Sequence, residues 1–134
     1  MRASAYILLL ACLWTLLPGC GAKPAQPGAR LAGEVTIGGR PLPDDADATI
    51  LFIPSGDQGQ APPVSAPVVR GRYVARHVPL GRVTVMFRAS RPTGRTLDDY
   101  GGGLPEHENL VPDKYIGGVP LDVTEDNPKQ DFHL

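Results

Sequence analysis

The sequence predicts an all-β protein, an antiparallel sandwich of about seven strands, on three observations. Short runs of alternating apolar and polar residues recur from Ala29 to the C-terminus, and Gly- and Pro-containing turn signals separate them. From Cys20 onward no window of ten residues carries a helical stripe. A chain of 134 residues accommodates one domain and excludes a large multidomain enzyme. Gly 16 and Pro 15 make up about 23% of it, just under the roughly 25–30% at which unperiodic Gly/Pro composition suggests disorder. The sandwich reading assigns them instead to turns.

The first strand is expected from Ala29, where Leu31, Gly33, Val35 and Ile37 alternate with Ala32, Glu34 and Thr36. Gly38-Gly39 gives a tight-turn signal, and Arg40-Pro41-Leu42-Pro43 is too Pro-rich for a central strand. A second strand follows at 48–53, with Ile50 and Phe52 inward and Pro54 ending it. Ser55 to Pro63 reads as a polar loop. Two β-prone runs, 64–69 and 72–78, are split by Gly71, with Tyr73 the expected core aromatic. The clearest strand is 82–89, where Val83, Val85 and Phe87 share one face. Pro120 to Thr124 and Gln130 to Leu134 are the last two. Between 82–89 and Pro120, Ser90 to Gly118 reads as one long loop, of a length that compact domains rarely carry unless it is functional or partly disordered. Within it, Leu110 to Tyr115 is expected to form one helical turn with Pro112 at its first position.

The amino terminus reads as an address. Arg2 precedes fifteen uncharged, mostly apolar residues, Ala3 to Leu17, too few for a membrane-spanning helix and of the length of a secretory signal. The stretch ends in Leu17-Pro18-Gly19-Cys20, which resembles the lipobox of bacterial lipoproteins. The resemblance implies cleavage between Gly19 and Cys20 and lipidation of the Cys20 thiol. A diacylglyceryl thioether with an amide-linked acyl chain supplies the two or more chains that stable membrane anchoring requires. Gly21, rather than Asp, after the cysteine implies the outer membrane or the surface. Residues 1–19 are then signal peptide, 20–28 a Pro/Gly-rich flexible tether, and 29–134 the β-sandwich with its long loop at 90–118. Without the signal only Cys20 is left among the cysteines, so the exported domain is expected to hold together without a disulfide within the chain.

The order of signals carries a second resemblance. Leu31 to Thr36, Gly39-Arg40-Pro41-Leu42, Ala48 to Pro54, Gly71-Arg72-Tyr73 and Val78-Pro79-Leu80-Gly81 are similar to the transthyretin-like, carboxypeptidase-regulatory-like domain. Asn109 to Tyr115, Pro120 to Thr124 and the terminal Asp131-Phe132-His133-Leu134 resemble small lipoproteins of the planctomycete type. The resemblance implies a transthyretin-like sandwich that is a non-catalytic module. Hydroxyisourate hydrolases share that fold but end in Tyr-Arg-Gly-Ser, which this chain lacks.

The residue inventory points the same way. Thirteen Lys+Arg against fourteen Asp+Glu give a formal charge of −1, without the basic field that nucleic-acid backbones select. His77, His107 and His133 stand in separate segments, and Glu106-His107-Glu108 is the nearest approach to a metal-binding cluster. Asp44, Asp45 and Asp47 put three carboxylates in one turn, lacking the calcium-loop pattern with its closing Glu. Ser55, Ser65 and Ser90 have no nucleophile-elbow setting. No catalytic residue, metal site or cofactor is expected. The expected function is that of a lipid-anchored envelope protein, a structural or protein-interaction module whose partners are the membrane and an envelope protein or glycan. The alternative is a carbohydrate- or peptide-binding module using the 90–118 loop, with Arg88, Arg91 and Arg95 attracting anionic groups and Tyr100 and Tyr115 available for stacking.

Overall fold

Alternation of side chains across a strand buries every second residue, and the apolar runs become strands accordingly. The computed structural model describes residues 27–56, 61–97 and 103–134. The expected signal peptide, Gly19, Cys20, the tether as far as Gln26, and Tyr100 lie outside these residues. The strands are β1 (Gly28–Ile37), β2 (Arg40–Pro41), β3 (Asp47–Pro54), β4 (Val64–Val69), β5 (Arg72–Pro79), β6 (Gly81–Leu97), β7 (Leu104–Asn109), β8 (Val119–Val123) and β9 (Phe132–His133). One 3-10 turn, Asp113–Tyr115, precedes β8, with Pro112 as its N-cap rather than its first residue. Hydrogen bonding runs β2-β1-β5-β4-β3-β6-β7, with β8 added to β6 and β9 to β1. All pairs are antiparallel except β1 and β9, which run parallel. The protein is therefore all-β, a curled antiparallel sheet.

The core follows the sequence pattern. Ile50 and Phe52 from β3, Tyr73 and Val78 from β5, and Val83, Val85 and Phe87 from β6 are buried. Each large apolar side chain so buried contributes about 1.5–3 kcal/mol relative to exposure. Aromatic rings link the strands across the core: Phe52 to Tyr73 at 6.0 Å, Tyr73 to Phe132 at 6.0 Å, and Phe87 to Phe132 edge-on at 5.1 Å. Strand β4 curls the sheet by changing partner, pairing β3 through residues 64–67 and β5 through Val68 and Val69. The two-residue turn that then leads into β5 holds Arg70 and Gly71, both at positive φ, as a hairpin compatible with strand twist requires.

The C-terminal segment fastens the open edge of β1. Asn127 accepts from the Ala32 amide and donates to the Arg30 carbonyl, Gln130 donates to the Ala32 carbonyl, and Leu134 donates to Thr36. Two side chains reinforce this, because the Arg30 amide donates to Asp126 Oδ1 at 2.7 Å and the Glu34 amide to Asp131 Oδ1 at 2.8 Å. Gly33 makes the close approach possible: a Cβ there would collide with the Gln130 backbone.

The stretch 90–118 differs from the expected long loop. Strand β6 continues to Leu97 and pairs with β7, so most of it is a β-ribbon followed by the 3-10 turn. Pro92, Gly94 and Pro105 are residue types that disfavour strands, yet none costs the ribbon a hydrogen bond. The Arg82 carbonyl accepts from Ser55 on the β3 side, whereas the Ala89 carbonyl accepts from Leu110 on the other. By alternation, even-numbered residues of β6 aim their backbone groups towards β3 and odd-numbered ones towards β7 and β8. Pro92 therefore lacks an N–H only on the free side of the ribbon, beyond the end of β3. The same alternation turns the nitrogens of Pro105 in β7, Pro120 in β8 and Pro41 in β2 outward from their partners. Gly94, at positive φ, sits in the bulge that shifts the register between Pro92 and Thr96.

Candidate functional site

The fold has two distinct ends. Gly28, where β1 begins, pairs with Pro79, and β6 starts two residues later at Gly81. At its other end β6 reaches Ser90 opposite Asp47, the first residue of β3, and the ribbon continues past the sheet. Seven further residues carry it roughly 20 Å beyond Ser90. The ribbon thus projects from the end opposite to the one where the chain enters.

Its side chains are largely solvent-exposed from Arg91 to Leu97. Arg91 Nε donates to Glu108 Oε1, and the Thr93 hydroxyl donates to Glu106 Oε2 at 2.6 Å, crosslinking the two strands. Leu97 and Leu104 face each other near the tip, 47% and 60% exposed. These contacts separate the arginines that the sequence put together. Arg91 is engaged by Glu108, while Arg88 projects from the outer face of β6, between buried Phe87 and Ala89.

At the base of the ribbon β7 and β8 leave a gap along the same edge of β6. Strand β8 pairs as far as Val85, and the next contact is the bond from the Leu110 amide to the Ala89 carbonyl, 2.8 Å. Between these points the chain swings out through the 3-10 turn and opens a groove of about 410 Å³, lined by Met86, Phe87, Arg88, Asn109, Val111 and Ile116 among others. Ile116 is 54% exposed there. Phe87 and Val111 were legible as apolar residues, but the groove they share depends on where β7 ends and β8 begins, which no local pattern encodes.

The other residues singled out by the sequence do not assemble. His77 sits in a bulge at φ 59°, His107 lies in β7, and His133 Nδ1 lies 2.8 Å from Thr36 Oγ1. Asp44 lies 3.9 Å from exposed Arg70. The Ser55 hydroxyl donates to the Arg82 carbonyl at 3.1 Å, Ser65 lies in β4, and Ser90 stands at the base of the ribbon. Tyr115 is already engaged: its hydroxyl donates to the His133 carbonyl at 3.2 Å, and the Lys114 ammonium lies 4.7 Å from its ring centre. A second recess, about 280 Å³, borders Asp122, Glu125 and Asp126. Asp126 there accepts the Arg30 amide, and Asp122 lies 3.6 Å from Arg82. Among the described residues no three His, Cys, Asp or Glu side chains converge on a point where a metal ion could sit. No helix among them is long and apolar enough to cross a membrane.

The strongest perturbation of an ionisable group lies in the core. Burial, with the Asp131 carboxylate adding to it, raises the Tyr73 pKa well above the ordinary phenol value, and its hydroxyl donates to the Gln130 carbonyl at 2.7 Å. This tyrosine is buried and holds the C-terminal segment. No protein-family model, curated protein or solved structure matches the chain.

Proposed function

We propose that the chain is a non-enzymatic, lipid-anchored cell-envelope protein, attached through Cys20 at the outer membrane or the periplasmic or surface face. Its β domain, in this reading, is a transthyretin-like sandwich serving as a structural or protein-interaction module. The Leu17-Pro18-Gly19-Cys20 motif carries the proposal, and the polarity of the fold is compatible with it. Cys20 precedes Gly28 by eight residues, a reach of roughly 25 Å even when extended. An anchor there holds the chain-entry end near the lipid and directs the ribbon and its groove outward. The sandwich reading is supported by β4, which changes partner at a corner, and by the aromatic rings that meet between β3–β6 and β5–β9.

Replacing Cys20 by Ala tests the anchor. The protein is expected to move from the membrane to the soluble fraction, and the wild-type mature terminus to carry acyl mass on Cys20. Membrane retention of the variant, or an unmodified Cys20, overturns the anchor.

Within the alternative of a carbohydrate- or peptide-binding module, one observation favours peptide. Sugar recognition relies on exposed aromatic faces, and Tyr115 is already bonded to His133 and covered by Lys114. The groove instead offers backbone, aliphatic surface and a guanidinium.

A further inference from the structure

The gap between β7 and β8 has a chemistry of its own. By the alternation along β6, the N–H and C=O of Phe87 point into it, as those of Val85 and Ala89 point to β8 and Leu110. Among the described residues Phe87 pairs only with Ile50, through the edge whose hydrogen bonds fall to its neighbours. Phe87 is buried and lines the groove. A backbone donor and acceptor at such a place call for a polar partner.

The dimensions select what can enter. Val85 and Ala89 are four residues apart, about 13 Å along the strand, with Val85 paired to Val119 and the Ala89 carbonyl accepting from Leu110. An extended strand running through would collide with β7 on one side and β8 on the other. A chain end entering from solvent fits. Arg88 decides which end: it lines the groove and makes no ion pair among the described residues, so it attracts a carboxylate and repels an ammonium. Val111 and Ile116 supply aliphatic surface for the terminal side chain.

We infer that this groove binds the carboxy-terminal residue of a peptide ending in an apolar side chain, the Phe87 amide and the Arg88 guanidinium holding its carboxylate and the Phe87 carbonyl accepting its N–H. Capture of a terminal carboxylate by backbone amides and a basic side chain is a general mode of peptide recognition. The inference rests on the interaction-module reading but not on the lipid anchor. The two therefore fail separately: Cys20→Ala tests the anchor and leaves the groove unchanged.

The test uses acetyl-alanyl-leucine as free acid and as carboxamide, titrated into the 15N-labelled full-length chain in detergent and followed by amide chemical shifts. The acid is expected to shift Phe87, Ala89, Val111 and Ile116 and to bind at least fivefold more tightly than the carboxamide. Arg88→Gln, at an exposed position without an ion pair, is expected to bring the acid down to the carboxamide level. Arg76→Gln, in β5 near the chain-entry end, serves as the control and leaves binding unchanged. Equal binding of acid and carboxamide, shifts confined elsewhere, or insensitivity to Arg88→Gln overturns the inference.

Discussion

Tyr73 shows how much one side chain can be asked to do in a small β domain. Its ring stands between Phe52 and Phe132, and its hydroxyl donates to the Gln130 carbonyl. Replacing it by Phe keeps the ring contacts and leaves a carbonyl without that donor, at a cost of about 1–2 kcal/mol. The pH dependence follows from the raised pKa. The folded state holds the phenol proton more tightly than the unfolded chain, so this stabilisation is complete below pH 10 and is lost as pH rises beyond the ordinary tyrosine value. Thermal melts from pH 8 to 12 are expected to show a steep alkaline loss for the wild type and a shallower one for Tyr73→Phe. Parallel curves would contradict the assignment. The sequence already marked this residue as the core aromatic of the β-prone run 72–78. Its hydroxyl partner was hidden, since Gln130 lies 57 residues away and is reached only through the fold.

Among the elements, the ribbon is the one the sequence concealed. Alternation identified 48–53, 64–69, 72–78 and 82–89 because one face of each is buried. From Arg91 to Leu97 neither face is consistently buried, so no apolar period exists to be read. Pro92 and Pro105 occupy outward positions where a strand loses nothing. The two residues of β9 were assigned to a strand through Phe132 and Leu134, while their parallel pairing with β1 followed only from the C-terminal hydrogen bonds. A ribbon that buries so little is expected to be separable from the domain. Replacing 92–107 by Asn-Gly, so that Arg91 and Glu108 close a two-residue hairpin, should change stability by no more than about 1 kcal/mol, because Pro92 to Leu97 are exposed and contribute little to the core. Chemical denaturation measures this. A loss of several kcal/mol would mean that the ribbon is integral to the core.

For the molecule as a whole, the first and last segments are neighbours, and closure depends on the end of the chain. Phe132 and Leu134 are buried, and Phe132 meets both Tyr73 and Phe87. Phe132→Ala is expected to cost about 3–5 kcal/mol, a large share of the roughly 5–15 kcal/mol by which domains are stable. Urea unfolding followed by far-UV circular dichroism would register it, and a change below 1 kcal/mol would show that the C-terminal segment is dispensable. The same architecture separates the chain entry from the ribbon, and this separation was illegible in the sequence because it depends on which strand ends share a side.

The outward-turned nitrogens of Pro41, Pro92, Pro105 and Pro120 have a consequence for crowding. Under the proposed membrane anchoring, copies would be confined to two dimensions, where neighbours would meet often and in similar orientation. Sheet edges with a full row of free amides would let such copies zip together into aggregates. Each of these prolines removes a donor where a neighbour's strand would need one. The proline content that brings the composition close to that of a disordered chain thus also leaves these strand edges with fewer donors for a neighbouring strand.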